Sequence, residues 1–282
     1  MMAAADRDES HPSQRVHWVW LLPLCLAFGP TVVWLVERWT QSVWNLGPGL
    51  IPLIVIYLVR ESLKEDPPRE PQASARGFLF VVPALLLLIA DTAIETRLIS
   101  VVALILMLPG LSLLLFGTGY TRKLLFPLVL SWLAVPIPAG FATPLYGLLR
   151  SLSSVGAEAL VRLTDLPVLR DGTAFYVPAG ALVVSDACSG FSALFGIVTV
   201  ALILCHREPS VARRVALLVL APIVSVASNT LRVAALILLA EWSDMRILST
   251  PVHEVSGLLS FALAFAVMAA VAWFPPRSGR TA

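Results

Sequence analysis

The feature that most limits this chain is a series of apolar stretches, residues 77–93 and 98–116 among them, nearly free of charge and close to bilayer length. Crossing the hydrocarbon core takes roughly 20 residues of helix. In hydrocarbon every backbone N–H and C=O must find a partner inside the protein, and the apolar runs show no period-two alternation, so they read as helices and not as barrel strands. Composition agrees: 58% of residues are hydrophobic and 13% charged, against about 25% charged in soluble domains, and the mean hydropathy is +0.85. A soluble enzyme is excluded. The net charge of +2 is small, and no basic patch with interleaved aromatics occurs, so nucleic acid is not expected as a partner.

The fold class is therefore all-α, a polytopic transmembrane helical bundle of about eight spans. They are drawn at residues 18–36, 46–59, 77–93, 98–116, 124–138, 189–204, 215–239 and 255–274. The second and fifth are short enough to be re-entrant or tilted. No small-residue cleavage site follows the polar N-terminus, so the first helix is expected to be retained. Lys and Arg accumulate in cytoplasmic loops. Thirteen of the 20 basic residues fall in the tails and in the loops after spans two, four and six, six fall in the alternate loops, and Arg232 lies inside a span. Both termini are expected in the cytoplasm, with tails at 1–17 and 275–282 and an N-terminal bundle at 18–138.

Residues 139–187 then form an extracytoplasmic segment with structure of its own. Leu145, Leu148, Leu149, Leu152, Val155, Leu160 and Leu163 recur near helical spacing, and Arg150, Ser154, Glu158 and Arg162 form a polar stripe opposite. That pattern predicts an amphipathic helix lying in the membrane interface. Asp171-Gly172 between apolar arms predicts a hairpin turn, and a strand-like run at 181–184 leads to Cys188, which opens the final group of helices at 188–274. No internal repeat of the secondary-transporter kind is visible.

Three residues of this last part carry chemistry. Cys188 stands at the outer end of span six, where a helix N-terminus would favour the thiolate, and Gly190 lets a backbone or substrate come close. Cys25 and Cys205 lie within apolar runs and read as packing residues; three widely spaced cysteines make no disulfide framework. Arg232 lies seven residues before Leu239, roughly 10 Å below the outer end of span seven at about 1.5 Å per residue. A mid-membrane arginine costs at least about 2.5 kcal/mol and marks a site, a counter-ion or a pathway. Asn229, one turn earlier, is placed to brace the guanidinium or donate to an oxyanion. His253 opens span eight at the same face, with Gly257 one turn on. Asp91 and Glu95 read as a loop rim and not as a second acid–base pair. Thiol, imidazole and guanidinium are the parts of a cysteine acyl-transfer site. No cluster with metal-ligand spacing occurs, so no metal and no cofactor is expected.

At these residues the sequence resembles the exosortase/archaeosortase family of membrane cysteine transpeptidases. The resemblance runs through DLPVLRDGTAFYVPAGALVVSDACSGFSALFGI, SNTLRVAALILLA and HEVSG. It covers the C-terminal half well, and the remainder through multi-span hydropathy alone. It implies Cys188 as nucleophile with Arg232 and His253 as the other catalytic members, and Ser189, Gly190 and Asn229 around the substrate. Histidine in place of a third-position arginine points to the bacterial, exosortase branch, hence to the inner membrane. Many members carry arginine two residues after ACSG, where this chain has Ser192 preceded by Phe191. The implied partners are secreted proteins with a C-terminal tripartite sorting signal: a short motif (Pro-Glu-Pro in the best-known group), one transmembrane helix and a basic tail. Membrane lipids surround both, and the group that resolves the thioester is left open between water and a lipid or glycan amine or hydroxyl. Two other readings stay open on the residues alone. One is a transporter or scaffold of an export pathway with Arg232 as substrate counter-ion. The other is a multi-pass acyltransferase or an intramembrane protease of another type, although neither HExxH nor GxSxG is present.

Overall fold

The computed structural model describes residues 21–41, 46–65, 73–185, 188–243, 245–249 and 251–273. The expected cytoplasmic tails, with Arg7, Arg15, Arg277 and Arg280, lie outside the described residues, as does Arg69. The chain is a helical membrane protein whose backbone divides into two compact units, one of Met1–Thr40 with Leu50–Val135 and one of Gln41–Gly49 with Pro136–Ala282.

The first unit holds α1 (Leu21–Thr40), most of α2 (Leu46–Glu65), α3 (Phe78–Ile94), α4 (Leu98–Lys123) and α5 (Leu125–Leu130). Helices α3 and α4 form a hairpin drawn tight by glycine. A Cβ on Gly77 would stand 2.6 Å from the Gly110 carbonyl oxygen, and one on Gly110 would stand 2.7 Å from Val81. Phe28, Val81, Ala84, Ala103 and Met107 fill the space between α1, α3 and α4. Asp91 closes the other end of the hairpin. It is buried, and its carboxylate accepts from the Thr96 amide (3.1 Å) and hydroxyl (2.6 Å), from the Ser100 amide (3.1 Å) and from the Ser100 hydroxyl. The expected rim carboxylate is thus the cap of α4, whose first amides would otherwise lack partners.

Among the described residues, four helical segments have the length and apolarity to cross a bilayer: Ala75–Ile94, Leu98–Lys123, Val211–Trp242 and Val252–Trp273. The expected fifth span is not one continuous helix. Helical structure from Leu125 stops at Ala134, ten residues in, or about 15 Å, half the hydrocarbon thickness. Val135 precedes Pro136 and is extended (ψ 123°), as the proline ring demands of its neighbour. The helix at the expected second span, α2, continues to Glu65 over 20 residues and is not among those four.

The second unit contains α6 (Ala139–Val161), a three-stranded antiparallel sheet of β1 (Leu169–Asp171), β2 (Ala174–Val177) and β3 (Gly180–Val183), then α7 (Phe191–Arg207), α8 (Val211–Trp242) and α9 (Val252–Trp273). Helix α8 is central and packs on α6, α7 and α9. The hairpin expected at Asp171-Gly172 is present one residue on: Asp171 pairs with Ala174, so Gly172 and Thr173 are the turn. Gly172 has φ +59° while Thr173 does not enter that region, which fits a II′ turn. The sheet lays Phe175, Val177 and Leu182 on Ala157 and Val161 of α6 and on Val233, Ala234, Ile237 and Ala240 of α8. Glu158 ties the layers at the edge, accepting from Arg162 (2.6 Å) and from Arg170 of β1 (2.5 Å). The two guanidinium groups hold its carboxyl below the ordinary value.

The helix expected from the leucine periodicity is present as α6: Leu148, Leu152 and Val155 point outward, while Leu149, Ser153, Ser154 and Ala157 are buried. A Cβ on Gly156 would stand 2.7 Å from the Thr230 side chain of α8. Small residues let two helix backbones close on each other, while large apolar side chains suit lipid.

Candidate active site

Between the sheet and the bundle the chain makes a short connection that determines where the thiol lies. Val184 is still paired to the sheet, its amide donating to the Thr173 carbonyl at 3.0 Å. The Cys188 amide then donates to the Ser185 carbonyl at 2.9 Å. Gly190 adopts φ +81° and caps α7, which begins at Phe191. Cys188 therefore stands three residues before the helix, at the junction of sheet and bundle, and not in the first turn where a helix dipole would favour the thiolate. A side chain at Gly190 is excluded twice, by the left-handed backbone and by Asn229, whose Cγ would be 2.7 Å from a Cβ.

The amide nitrogen of Asn229 donates to the Cys188 carbonyl at 3.0 Å and to the Ser153 hydroxyl of α6 at 2.9 Å. A carboxamide has two N–H donors, and both are used here; a guanidinium accepts no hydrogen bond, so a brace to Arg232 would need the amide oxygen. The residue is fully buried and pins the backbone of Cys188 to α6 and α8. Ser189, also buried, turns its hydroxyl back to accept from the Phe191 amide at 3.3 Å. Gly190, Ser189 and Asn229 thus support the loop that carries the thiol.

The sulfur of Cys188 lies 3.7 Å from Nδ1 and 3.6 Å from Nε2 of His253, which is on the first turn of α9. Sixty-five residues separate the two in sequence. Arg232 joins them from α8: its Nε donates to the Ser256 hydroxyl at 3.0 Å, and Nη2 donates to the His253 carbonyl at 3.0 Å. Ser256 donates to the same carbonyl at 2.7 Å. A Cβ on Gly257 would stand 3.3 Å from Nη2, so glycine there admits the guanidinium. Arg232 lies ten residues before the end of α8 at Trp242, and its guanidinium reaches the first turn of α9. Sequence reasoning missed Ser256, Ser153 and Ser185; only Ser256, three residues after His253 at a helix start, carries a signal, since i+3 is the reach of a hydroxyl to a first-turn carbonyl.

The surroundings set the chemistry. Cys188 is buried, and burial pushes its thiol above the ordinary value; the Arg232 charge and a hydrogen bond with Ser185 oppose that shift. Thiol and imidazole open into a cavity of about 320 Å³ walled by β3, Val233 and Ile237. A second, apolar cleft of about 510 Å³ runs between α8 and α9, with Arg232 and Ser256 in its wall. Among the described residues no group of three or more His, Cys, Asp or Glu side chains is arranged to hold a metal ion.

A buried thiol, an imidazole and a guanidinium drawn together by membrane-spanning helices define the class: a polytopic helical membrane protein with a cysteine–histidine pair. The chain belongs to the transmembrane exosortase family, whose family model matches residues 39–270. Among curated proteins and solved structures nothing matches it.

Proposed function

We propose that the chain is a membrane cysteine transpeptidase or protease that removes C-terminal sorting signals from secreted proteins. The observation that carries the reading is the approach of the Cys188 sulfur to within 3.6–3.7 Å of both imidazole nitrogens of His253. These contacts are longer than the roughly 2.6–3.2 Å of a working base, as catalytic hydrogen bonds often are before substrate tightens them. His253 accepts the thiol proton, and the thiolate attacks the carbonyl carbon of the scissile peptide bond. The resulting negative charge, first on sulfur and then on oxygen, lies beside the fixed charge of Arg232. The protonated imidazole returns its proton to the leaving amine, and the C-terminal helix of the substrate departs. A thioester remains on Cys188. An amine or hydroxyl of a lipid or glycan, or water, attacks it, passes its proton through His253 and restores the thiol.

The placement follows from charge. With both termini in the cytoplasm of a bacterium, the site belongs to the outer face of the inner membrane, where a substrate anchored by one helix and a basic tail presents its motif. The segment 139–187 and the helices 188–274 act together as the catalytic part, a reading supported by the compact unit that contains both. Helices α1, α2 and α7 complete the spans beyond the four that meet the length and apolarity of a crossing, with α5 entering the membrane only part-way.

The test is processing of a co-expressed reporter that ends in Pro-Glu-Pro, an apolar helix and a basic tail. Cys188→Ala and Cys188→Ser are expected to abolish cleavage at unchanged protein level. A transporter would tolerate both and fail on replacement of Arg232, so a cleaved reporter in Cys188→Ala refutes the enzyme reading.

A further inference from the structure

The sheet beside Cys188 has an open edge. Its strand order is β1-β2-β3, so among the described residues β3 has a strand partner on one side only. The register tells which backbone groups face away from that partner. Val184 donates to Thr173, and Leu182 and Gly180 stand opposite Phe175 and Val177 in the same phase. Alternate residues of an antiparallel strand direct both N–H and C=O to the same side. Gly180, Leu182 and Val184 therefore bond to β2, and the peptide groups of Ala181 and Val183 point outward. Both residues are exposed, Val183 at 71%. The edge ends at Ser185, whose carbonyl turns in to accept from Cys188.

This edge borders the reacting groups. The cavity of about 320 Å³ is lined by Ala181, Val183 and Ser185 on one side and reaches Cys188 and His253. Exposed edge amides are a template for another strand, and a cavity of this volume is within the range of small ligand clefts. What such a site requires is an extended chain with its own N–H and C=O groups at a two-residue repeat, together with side chains that suit apolar walls.

The geometry points to strand addition: an extended segment of the substrate next to the scissile bond pairs with β3 through Ala181 and Val183, which holds its carbonyl carbon against the Cys188 sulfur. The inference rests on the reading of Cys188 as nucleophile. Main-chain bonds give the affinity and are blind to side chains, and the alternate side chains that enter the cavity give the selectivity.

The experiment uses the purified full chain in detergent micelles and three probes: an acetylated Ala-Val-Ala chloromethyl ketone, and two versions N-methylated at one or the other of two successive amides. The sulfur of Cys188 displaces chloride to form a thioether, followed by intact mass. One methylated probe is expected to react about tenfold more slowly, the effect of one hydrogen bond worth about 1.4 kcal/mol, and the other within twofold of the parent. Val183→Pro removes the outward N–H, the donor to a substrate carbonyl, without touching the ladder to β2, and is expected to slow the parent probe by about tenfold as well. Iodoacetamide, which needs no strand pairing, is expected to alkylate Cys188 equally in both proteins. Equal rates for all three probes on the unaltered chain, with normal iodoacetamide labelling, overturn the strand pairing and leave the nucleophile standing. No labelling of Cys188 by any reagent overturns the reading of the nucleophile itself. A chain that is dimeric with Val183, monomeric with Val183→Pro and unchanged toward the probes assigns the edge to a second copy, and overturns the inference.

Discussion

Gly190→Ala is the substitution whose effect the structure fixes most closely. The residue has φ +81°, a conformation that costs an L-residue about 1–2 kcal/mol. An added Cβ would also stand 2.7 Å from Cγ, 2.9 Å from Cβ and 2.9 Å from Nδ2 of Asn229. Those atoms belong to a buried side chain held by two hydrogen bonds, so they yield poorly, and overpacking of this kind costs about 1–3 kcal/mol. The total is then roughly 2–5 kcal/mol. The two causes are separable. Asn229→Gly deletes all three contacting atoms, so Gly190→Ala in that background carries only the backbone strain. The double-mutant cycle, read from reversible unfolding in mixed micelles, is expected to show a coupling of about 1–3 kcal/mol that favours the double variant. The shift of Asn229 also loosens Cys188, so Gly190→Ala alone should slow alkylation of the thiol. Additivity of the two substitutions within about 0.5 kcal/mol would refute the argument, because the close approach would then carry no energy.

Three further outcomes follow from the same network. Ser256→Ala removes the acceptor for Arg232 Nε and one donor to the His253 carbonyl, so reporter cleavage should fall about tenfold or more at unchanged protein level; full activity would contradict a positioning role. Arg232→Gln removes a charge that lowers the Cys188 thiol pKa against the rise caused by burial. The thiolate is the reactive form, so the pH profile of iodoacetamide alkylation should move to higher pH, and Arg232→Lys should keep the profile nearer the original while losing one of the two hydrogen bonds. Asp91→Ala leaves two amides and two hydroxyls at the α3–α4 turn without their acceptor and should destabilise the chain by about 2–4 kcal/mol, with the specific activity of the folded protein unaltered.

Part of this architecture is legible in the residues themselves. Apolar runs dictate the helical class, because bilayer thickness and backbone pairing leave few solutions. Cys188, Arg232 and His253 stand out because each residue type is costly or unusual where it falls. The turn at Gly172 follows from local backbone preference. What escapes a reading of the sequence is determined by partners distant along the chain. The leucine periodicity of α6 gives a helix with an apolar face but not what its other side meets, where Ser153, Gly156 and Ala157 pack by being small. Asn229 can be placed on the correct face of α8, but its partners, Ser153 and the Cys188 carbonyl, lie 76 and 41 residues away. The apolar run begins at Cys188 and suggests a helix start there; the chain turns at Gly190 first.

The most direct test of the central claim is to trap the covalent intermediate. The purified chain, mixed in micelles with the tripartite reporter and quenched in acid, should show a mass adduct on Cys188 equal to the reporter fragment before the cleavage point less one water. Neutral hydroxylamine should release it, as it does a thioester, and the adduct should be missing in Cys188→Ala. Cleavage of the reporter with no hydroxylamine-sensitive adduct, and at the same rate in Cys188→Ala, would contradict the account.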